Sequence, residues 1–255
     1  AIIQINSLGP DAAEHTGGIQ RLIDSLAIET NGQEIWPIIV AAGKGTRAIS
    51  SGLNVPKPVA IVGQKPAIVL QNLRAGLGIT RPPIIIVSPE TEYSVRRAVE
   101  GENVLFAVQP ESLGTGDAVL TTHNLLWDFE GRALVIWSTQ PVVQPKTFCR
   151  TAKLGALFDD YSMIVPTVIR HRPYAPLHRD KRGVVTSASE THLEGARVAD
   201  FGETNIGMFL LNSQTMFEVL LDLRQRYWDE STNRYNRSRG ELGFPNELIN
   251  VLGPR

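Results

Sequence analysis

Four short apolar runs, residues 35–41, 83–87, 104–108 and 133–137, alternate in the first half of the chain with helical patterning at 66–77, 91–99 and 115–127. Strands that are apolar throughout are buried on both faces, and a helix between consecutive strands is the crossover that parallel pairing requires. Glycine, proline and serine punctuate the short links. The pattern predicts an α/β fold: a Rossmann-like, mixed but mainly parallel sheet with helices on both faces. The second half is less regular. Strands are expected at 162–169, 183–187 and 205–211, with helices at 214–227 and 246–252. Successive strands there imply antiparallel additions to the sheet and a small substrate-facing sub-lobe. Residues 16–28 read as a peripheral amphipathic helix, so 1–34 is expected as an N-terminal segment and 35–255 as one domain.

Charge is distributed unevenly along this frame. From Ile35 to Pro89 there is no Asp or Glu, while Lys44, Arg47, Lys57, Lys65, Arg74 and Arg81 are all cationic. A long stretch of one sign suggests an anionic ligand nearby. The whole chain carries a net charge of only −1, which argues against a dedicated nucleic-acid partner. No run of 18 apolar residues offers a membrane-spanning helix. The single cysteine, Cys149, excludes an internal disulfide framework and suits a reducing compartment, with cytoplasm the expected location. The chain starts at Ala1 without methionine or a secretory pattern, and is expected to be a piece of a longer protein, truncated at its C-terminal end.

Directly after the first strand comes Ala41-Ala42-Gly43-Lys44-Gly45-Thr46-Arg47. Small residues and two glycines let the backbone approach a phosphate chain, and Lys44 and Arg47 add positive charge. The run is not a P-loop, which needs G-x-x-x-x-G-K-[ST]. It fits a dinucleotide fingerprint poorly: Ser50-Ser51-Gly52 and Pro56 interrupt the helix that should open there, and no acid for a ribose occurs before Glu90. The third reading is a nucleoside-triphosphate loop closed by Pro56-Lys57-Pro58, whose prolines stiffen the segment that carries the lysine.

From about residue 35 to 252 the chain resembles the sugar-1-phosphate nucleotidyltransferases, or nucleotide-sugar pyrophosphorylases. It looks most like the uridyltransferase domain acting on N-acetylglucosamine 1-phosphate. The resemblance is carried by the two blocks just quoted and by Gln109-Pro110-Glu111-Ser112-Leu113-Gly114-Thr115-Gly116-Asp117-Ala118. Glu203-Thr204-Asn205-Ile206-Gly207 and Gly240-Glu241-Leu242-Gly243-Phe244 extend it. It implies UTP and a sugar 1-phosphate as partners, attack of a sugar-phosphate oxygen on the α-phosphorus, release of pyrophosphate, and Mg2+ as cofactor. By position, Ala41, Ala42, Gly43, Lys44, Gly45 and Thr46 would form the nucleotide loop, with Arg47 and Lys57 as the catalytic cations. Gln109 and Gly114 would read the base and Thr115 would lie beside the ribose and phosphates. Glu190, Asn205 and the backbone near 174–177 would meet the sugar. A Gln side chain presents a donor and an acceptor together, which suits the imide edge of uracil.

One motif departs from the family. Where it has an aromatic-Gly-Asp-x-Pro run, this chain reads Trp137-Ser138-Thr139-Gln140-Pro141, so Thr139 stands at the metal-binding aspartate. No Asp or Glu occurs from Gly131 to Ala156, and a neutral hydroxyl is a poor magnesium ligand. The family's second metal ligand is expected beyond the helix that ends near Leu252. Two outcomes follow: magnesium held through phosphates and water with help from Asp117, or a non-catalytic nucleotide or nucleotide-sugar binding module. Elsewhere the histidines lack metal spacing, and no nucleophile motif accompanies Cys149. The basic residues from Arg170 to Arg182 read as a solvated loop. Trp36, Trp127, Trp137 and Trp228 are expected in packing roles.

Overall fold

In the computed structural model, which describes residues 21, 23–25, 34–43, 45, 50, 52–60, 68–78, 81–140, 143–189 and 199–253, twelve strands and six α-helices are defined. The strands are β1 (Ile35–Val40), β2 (Ile84–Val87), β3 (Leu105–Val108), β4 (Arg132–Trp137), β5 (Met163–Ile164), β6 (Thr167–His171), β7 (Leu177–Arg179), β8 (Val185–Ala188), β9 (Phe201–Asn205), β10 (Met208–Asn212), β11 (Trp228–Asp229) and β12 (Arg234–Tyr235). The helices are α1 (Ile68–Leu77), α2 (Glu92–Ala98), α3 (Thr115–Leu120), α4 (Pro145–Leu157), α5 (Ser213–Tyr227) and α6 (Pro245–Leu252).

Six strands form the main sheet in the order β3-β2-β1-β4-β10-β5. The first four are parallel; β10 runs antiparallel to β4, and β5 antiparallel to β10. Side chains of β1 alternate between two cores. Ile38 and Val40 join Val119 of α3, Leu220 of α5 and Ile249 of α6 on one face. Ile39 joins Leu70 and Leu73 of α1, Val95 of α2 and Phe148 of α4 on the other. Each such side chain, fully buried, contributes about 1.5–3 kcal/mol before the entropy cost of ordering the chain. The α/β sheet with helices on both faces is as the apolar runs predict.

The helices differ from expectation where polar residues mask or break the pattern. Helix α4 is not signalled by a strong apolar stripe, because its buried face is Phe148, Thr151, Ala152 and Gly155. That is helical spacing filled with small and polar residues. Helix α3 stops at Leu120, well short of residue 127. The Thr121 and Thr122 hydroxyls donate to the Ala118 and Val119 carbonyls (2.6 and 2.7 Å), and their backbone N–H groups bond three residues back, which tightens the turn into a separate 3-10 segment. The run expected at 205–211 divides at Gly207, whose φ of +71° suits glycine. Trp127 is 72% exposed, so it packs in neither core. Of the expected helix at 16–28, residues 21 and 23–25 are described and helical. Arg150 of α4 donates twice to Asp24 (2.7 and 2.6 Å), and Lys153 donates to the Asp24 carbonyl at 3.0 Å.

Helices α1 and α4 approach closely at Gly76. A Cβ there would overlap the Pro145 carbonyl and come within 2.7 Å of Phe148 Cβ. Gly76→Ala, though favourable for an isolated helix, is therefore expected to destabilise the fold by about 1–3 kcal/mol. Denaturant unfolding measures the loss.

Candidate functional site

The chain leaves β1 and β4 in opposite directions across the sheet, and a crevice opens at the carboxyl ends of these two strands, as expected where strand order reverses. It encloses about 290 Å³. One wall is Val40, Ala41, Gly43 and Gly45 after β1, and the other is Trp137, Ser138 and Thr139 after β4. Lys57 and Pro58 close one side, and Thr115, the first residue of α3, closes another.

Local chemistry explains each wall. Gly45 has a φ of +63°, and a Cβ on it would lie 3.5 Å from Lys57 Cγ, so the lysine stem rests over the loop. A short 3-10 turn, Lys57–Val59, follows Pro56, with Pro58 buried beneath the exposed ammonium. Ala41 is tied to the neighbouring strand by Ala41 N–H to the Ile86 carbonyl (2.8 Å), and its own carbonyl accepts the Thr91 hydroxyl at 3.3 Å. Ser138 N–H donates to the Val40 carbonyl (3.0 Å), locking the two rims together. The described lining residues include no carboxylate. A second hollow of about 200 Å³ beside Ser88 and Pro110 is walled by Glu90, Glu111 and Arg234, a mixed and partly acidic lining less suited to a polyphosphate.

Of the residues singled out in the sequence, Ala41, Gly43, Gly45, Lys57, Thr115 and Thr139 come together in the crevice. Ala42 is 3% exposed, with its side chain in the core cluster of Ile38 and Val40, so only its backbone is oriented for a ligand. Lys44, Thr46, Arg47 and Glu190 lie outside the described residues. Gln109 and Gly114 sit just behind Thr115: Gln109 Nε2 donates to the Gly114 carbonyl and to Asp117 Oδ2, both at 3.0 Å. The expectation that Gln109 offers donor and acceptor together is thereby corrected, since both amide N–H groups are engaged. Asp117 is also corrected as a metal helper. It is 7% exposed, and its other oxygen accepts the Tyr235 hydroxyl at 2.7 Å.

Asn205 is 1% exposed, its Oδ1 accepting Gly207 N–H at 3.0 Å while its Nδ2 has no partner. It adjoins the crevice through Gly207, whose carbonyl accepts Trp137 N–H at 3.0 Å and whose missing Cβ leaves room for the Trp137 indole. Tyr174 donates to the Asn205 carbonyl at 2.9 Å, and burial pushes its phenol pKa up. Of the residues that brace the site, Tyr235 was not signalled by the sequence, since it lies 118 residues from the Asp117 carboxylate to which it donates.

The sub-lobe beside this wall is the β6–β9 ribbon extended by a Pro176–Thr204 bridge toward the β7–β8 pair. Glu203 holds it: Arg179 donates to both carboxylate oxygens (2.7 and 2.8 Å), and the Thr167 hydroxyl donates at 2.7 Å. Burial opposes the Glu203 charge, but these hydrogen bonds and the guanidinium outweigh it and hold its pKa below the ordinary carboxylate value.

A magnesium ion prefers several oxygen ligands including carboxylate. Thr115, Ser138 and Thr139 offer hydroxyls beside a lysine, and no group of three or more His, Cys, Asp or Glu residues suited to a metal occurs among the described residues. This donor set does not fit a protein-held divalent cation.

A sequence profile of the nucleotidyl transferase family matches residues 36–203. The chain belongs to this family and is, by family, a nucleotidyltransferase. Among curated proteins it is similar to the Bifunctional protein GlmU of Enterococcus faecalis, 31% identical over 192 residues, covering 72% of this chain and 40% of the relative. The GlmU of Lactococcus lactis subsp. cremoris strain SK11 is 30% identical over 197 residues, covering 74% of this chain and 40% of the relative. That of Anaeromyxobacter sp. is 29% identical over 193 residues, covering 72% and 37%. The chain thus spans about two fifths of these relatives.

Because the folded Glu203 pKa is depressed, the Arg179–Glu203 pair stabilises fully at neutral pH and is lost as the pH falls through that lowered value. Arg179→Ala is expected to cost about 2 kcal/mol at pH 7 and much less in acid. Thermal unfolding of both proteins across pH 3–7 checks the convergence.

Proposed function

We propose that this domain transfers a uridylyl group from UTP to a sugar 1-phosphate and releases pyrophosphate. The observation that carries the reading is a crevice whose described lining residues include no carboxylate, in which Gly43, Gly45, Lys57 and Thr115 surround one space at the switch point of the sheet. An oxygen of the sugar phosphate attacks the α-phosphorus, and the bond to the β-phosphoryl bridging oxygen breaks to release pyrophosphate. Such transfers depend mainly on alignment and charge neutralisation. Backbone N–H groups of the glycine loop would hold the phosphates, with Lys44 and Thr46 in the same loop. Lys57 and Arg47 would neutralise the charge that gathers on the leaving group. Gln109 and Gly114 would contact the base, while Asn205, with its unpartnered amide, and Glu190 would meet the sugar. GlmU likeness supports the uridine and amino-sugar choice. Among the described residues no helix is long and apolar enough to cross a membrane, and we place this chemistry in the cytoplasm.

Thr139 favours a second reading, a module that binds a nucleotide or nucleotide sugar without turning it over. A magnesium-dependent mechanism fixed by the protein has no carboxylate at this wall to rest on. Pyrophosphate release from UTP, magnesium and a panel of sugar 1-phosphates separates the two. Turnover with at least one sugar is expected. Its absence, with saturable UTP or UDP-sugar binding, transfers the conclusion to the binding module.

Lys57 gives a sharper check of the crevice itself. Lys57→Ala removes a charge-assisted contact and is expected to weaken UTP binding about tenfold or more. Calorimetric titration reads the change, and an unaltered affinity would remove Lys57 from the site.

A further inference from the structure

We propose that Asp117 is a positioning residue that, with the Gly114 carbonyl, fixes which end of the Gln109 amide faces a bound base, strengthening the preference of the site for a base with a ring N–H, such as uracil, over one with a ring nitrogen acceptor, such as cytosine. This rests on Gln109 contacting the base.

Gln109 follows β3 and is 4% exposed. Its Nε2 lies 3.0 Å from both the Gly114 carbonyl and Asp117 Oδ2. A carbonyl and a carboxylate only accept, so chemistry itself assigns nitrogen to this side of the amide. Both N–H groups are then engaged, and Oε1, with no partner among the described residues, is the end left for a ligand. Uracil presents its N3–H to such an acceptor. Cytosine presents a bare N3, and two acceptors would face each other.

Turning the amide over to suit cytosine would set Oε1 against both the Gly114 carbonyl and the buried Asp117 carboxylate, acceptor to acceptor, and the charged carboxylate makes the larger share of that cost. Asp117 cannot easily turn away. Its Oδ1 accepts the Tyr235 hydroxyl at 2.7 Å, and Tyr235 is 2% exposed. Burial and the adjacent carboxylate push the Tyr235 pKa well above its ordinary value, so the phenol remains a donor at neutral pH. The same loop is held from the other side: Gly116 N–H donates to the Leu242 carbonyl (2.9 Å) and Leu242 N–H to the Leu113 carbonyl (2.8 Å). Cβ atoms at Gly114 and Gly116 would overlap the Leu242 and Gly243 carbonyls, so the contact is backbone to backbone. Thr115, between these glycines, lines the crevice.

The test is a ratio of affinities, which a purely structural role would not move. UTP and CTP are titrated against the full chain and its Asp117→Asn variant. The wild type is expected to prefer UTP by about tenfold or more. In Asp117→Asn the new carboxamide can donate to Gln109 Oε1, so only the Gly114 carbonyl still opposes reversal of the glutamine amide, and the preference is expected to shrink about threefold or more. Equal weakening of both nucleotides, with the ratio intact, would overturn the positioning role and leave the uridylyl reading standing. A wild type that binds neither nucleotide would instead overturn that reading, and this inference with it. Should Asp117→Asn fail to fold, N3-methyluridine triphosphate tested on the wild type decides. Binding about tenfold weaker than UTP supports an acceptor aimed at N3–H, and equal binding overturns it.

Discussion

Six consecutive register pairs, from Ile35 with Arg132 to Val40 with Trp137, hold β1 parallel to β4, and the crevice depends on that pairing. Parallel strands end at the same edge of a sheet. The segments that follow these two therefore start side by side, and since they belong to opposite halves of the strand order they diverge. A slip of one residue would turn Ile38 and Ile39 to the wrong cores and move Ser138 away from Val40. Two apolar faces, each buried under three helices, make such a slip prohibitive. The geometry of a polar site is thus set by dispersion and hydrophobic burial beneath it.

Charge works differently at this edge. Protein surfaces usually intersperse signs, yet both walls of the crevice come from segments of sequence that lack acids altogether. Lys57 consequently faces a space in which a polyanion meets little opposing charge. The same economy leaves the protein without the carboxylate that its family resemblance implies at Thr139. Asp117, which the sequence offered as a helper for the metal, is buried and engaged with Gln109 and Tyr235. A crevice suited to an anion and a donor set unsuited to a cation therefore occur together among the described residues.

Much of this was legible in the sequence, and the rest was hidden for physical reasons. Continuous apolar runs revealed the four parallel strands, because burial on both faces leaves no alternation to misread. The glycine loop and Lys57 were singled out through spacing and proline stiffness, and Gly43, Gly45 and Lys57 do line one crevice. Helix α4 escaped because its inner face uses the small or polar residues Thr151, Ala152 and Gly155, which leave no apolar stripe to read. Thr121 and Thr122 ended α3 early through hydroxyl bonds that a hydrophobic pattern does not register. Gln109 was visible, but its orientation was not. That is set by the Gly114 carbonyl and by Asp117, which is held in turn by Tyr235, 118 residues beyond it in the chain.

Trp137 lines the crevice, and its ring packs against Phe209 and Phe244 at centroid distances of 5.6 and 5.8 Å. Behind it stands Gly207, where even one methyl group would collide with the ring. The width of the ligand space is accordingly governed from outside it, by a residue that need never touch what enters. A wider or narrower space could be reached by changes in this backing layer alone, leaving the glycine loop untouched.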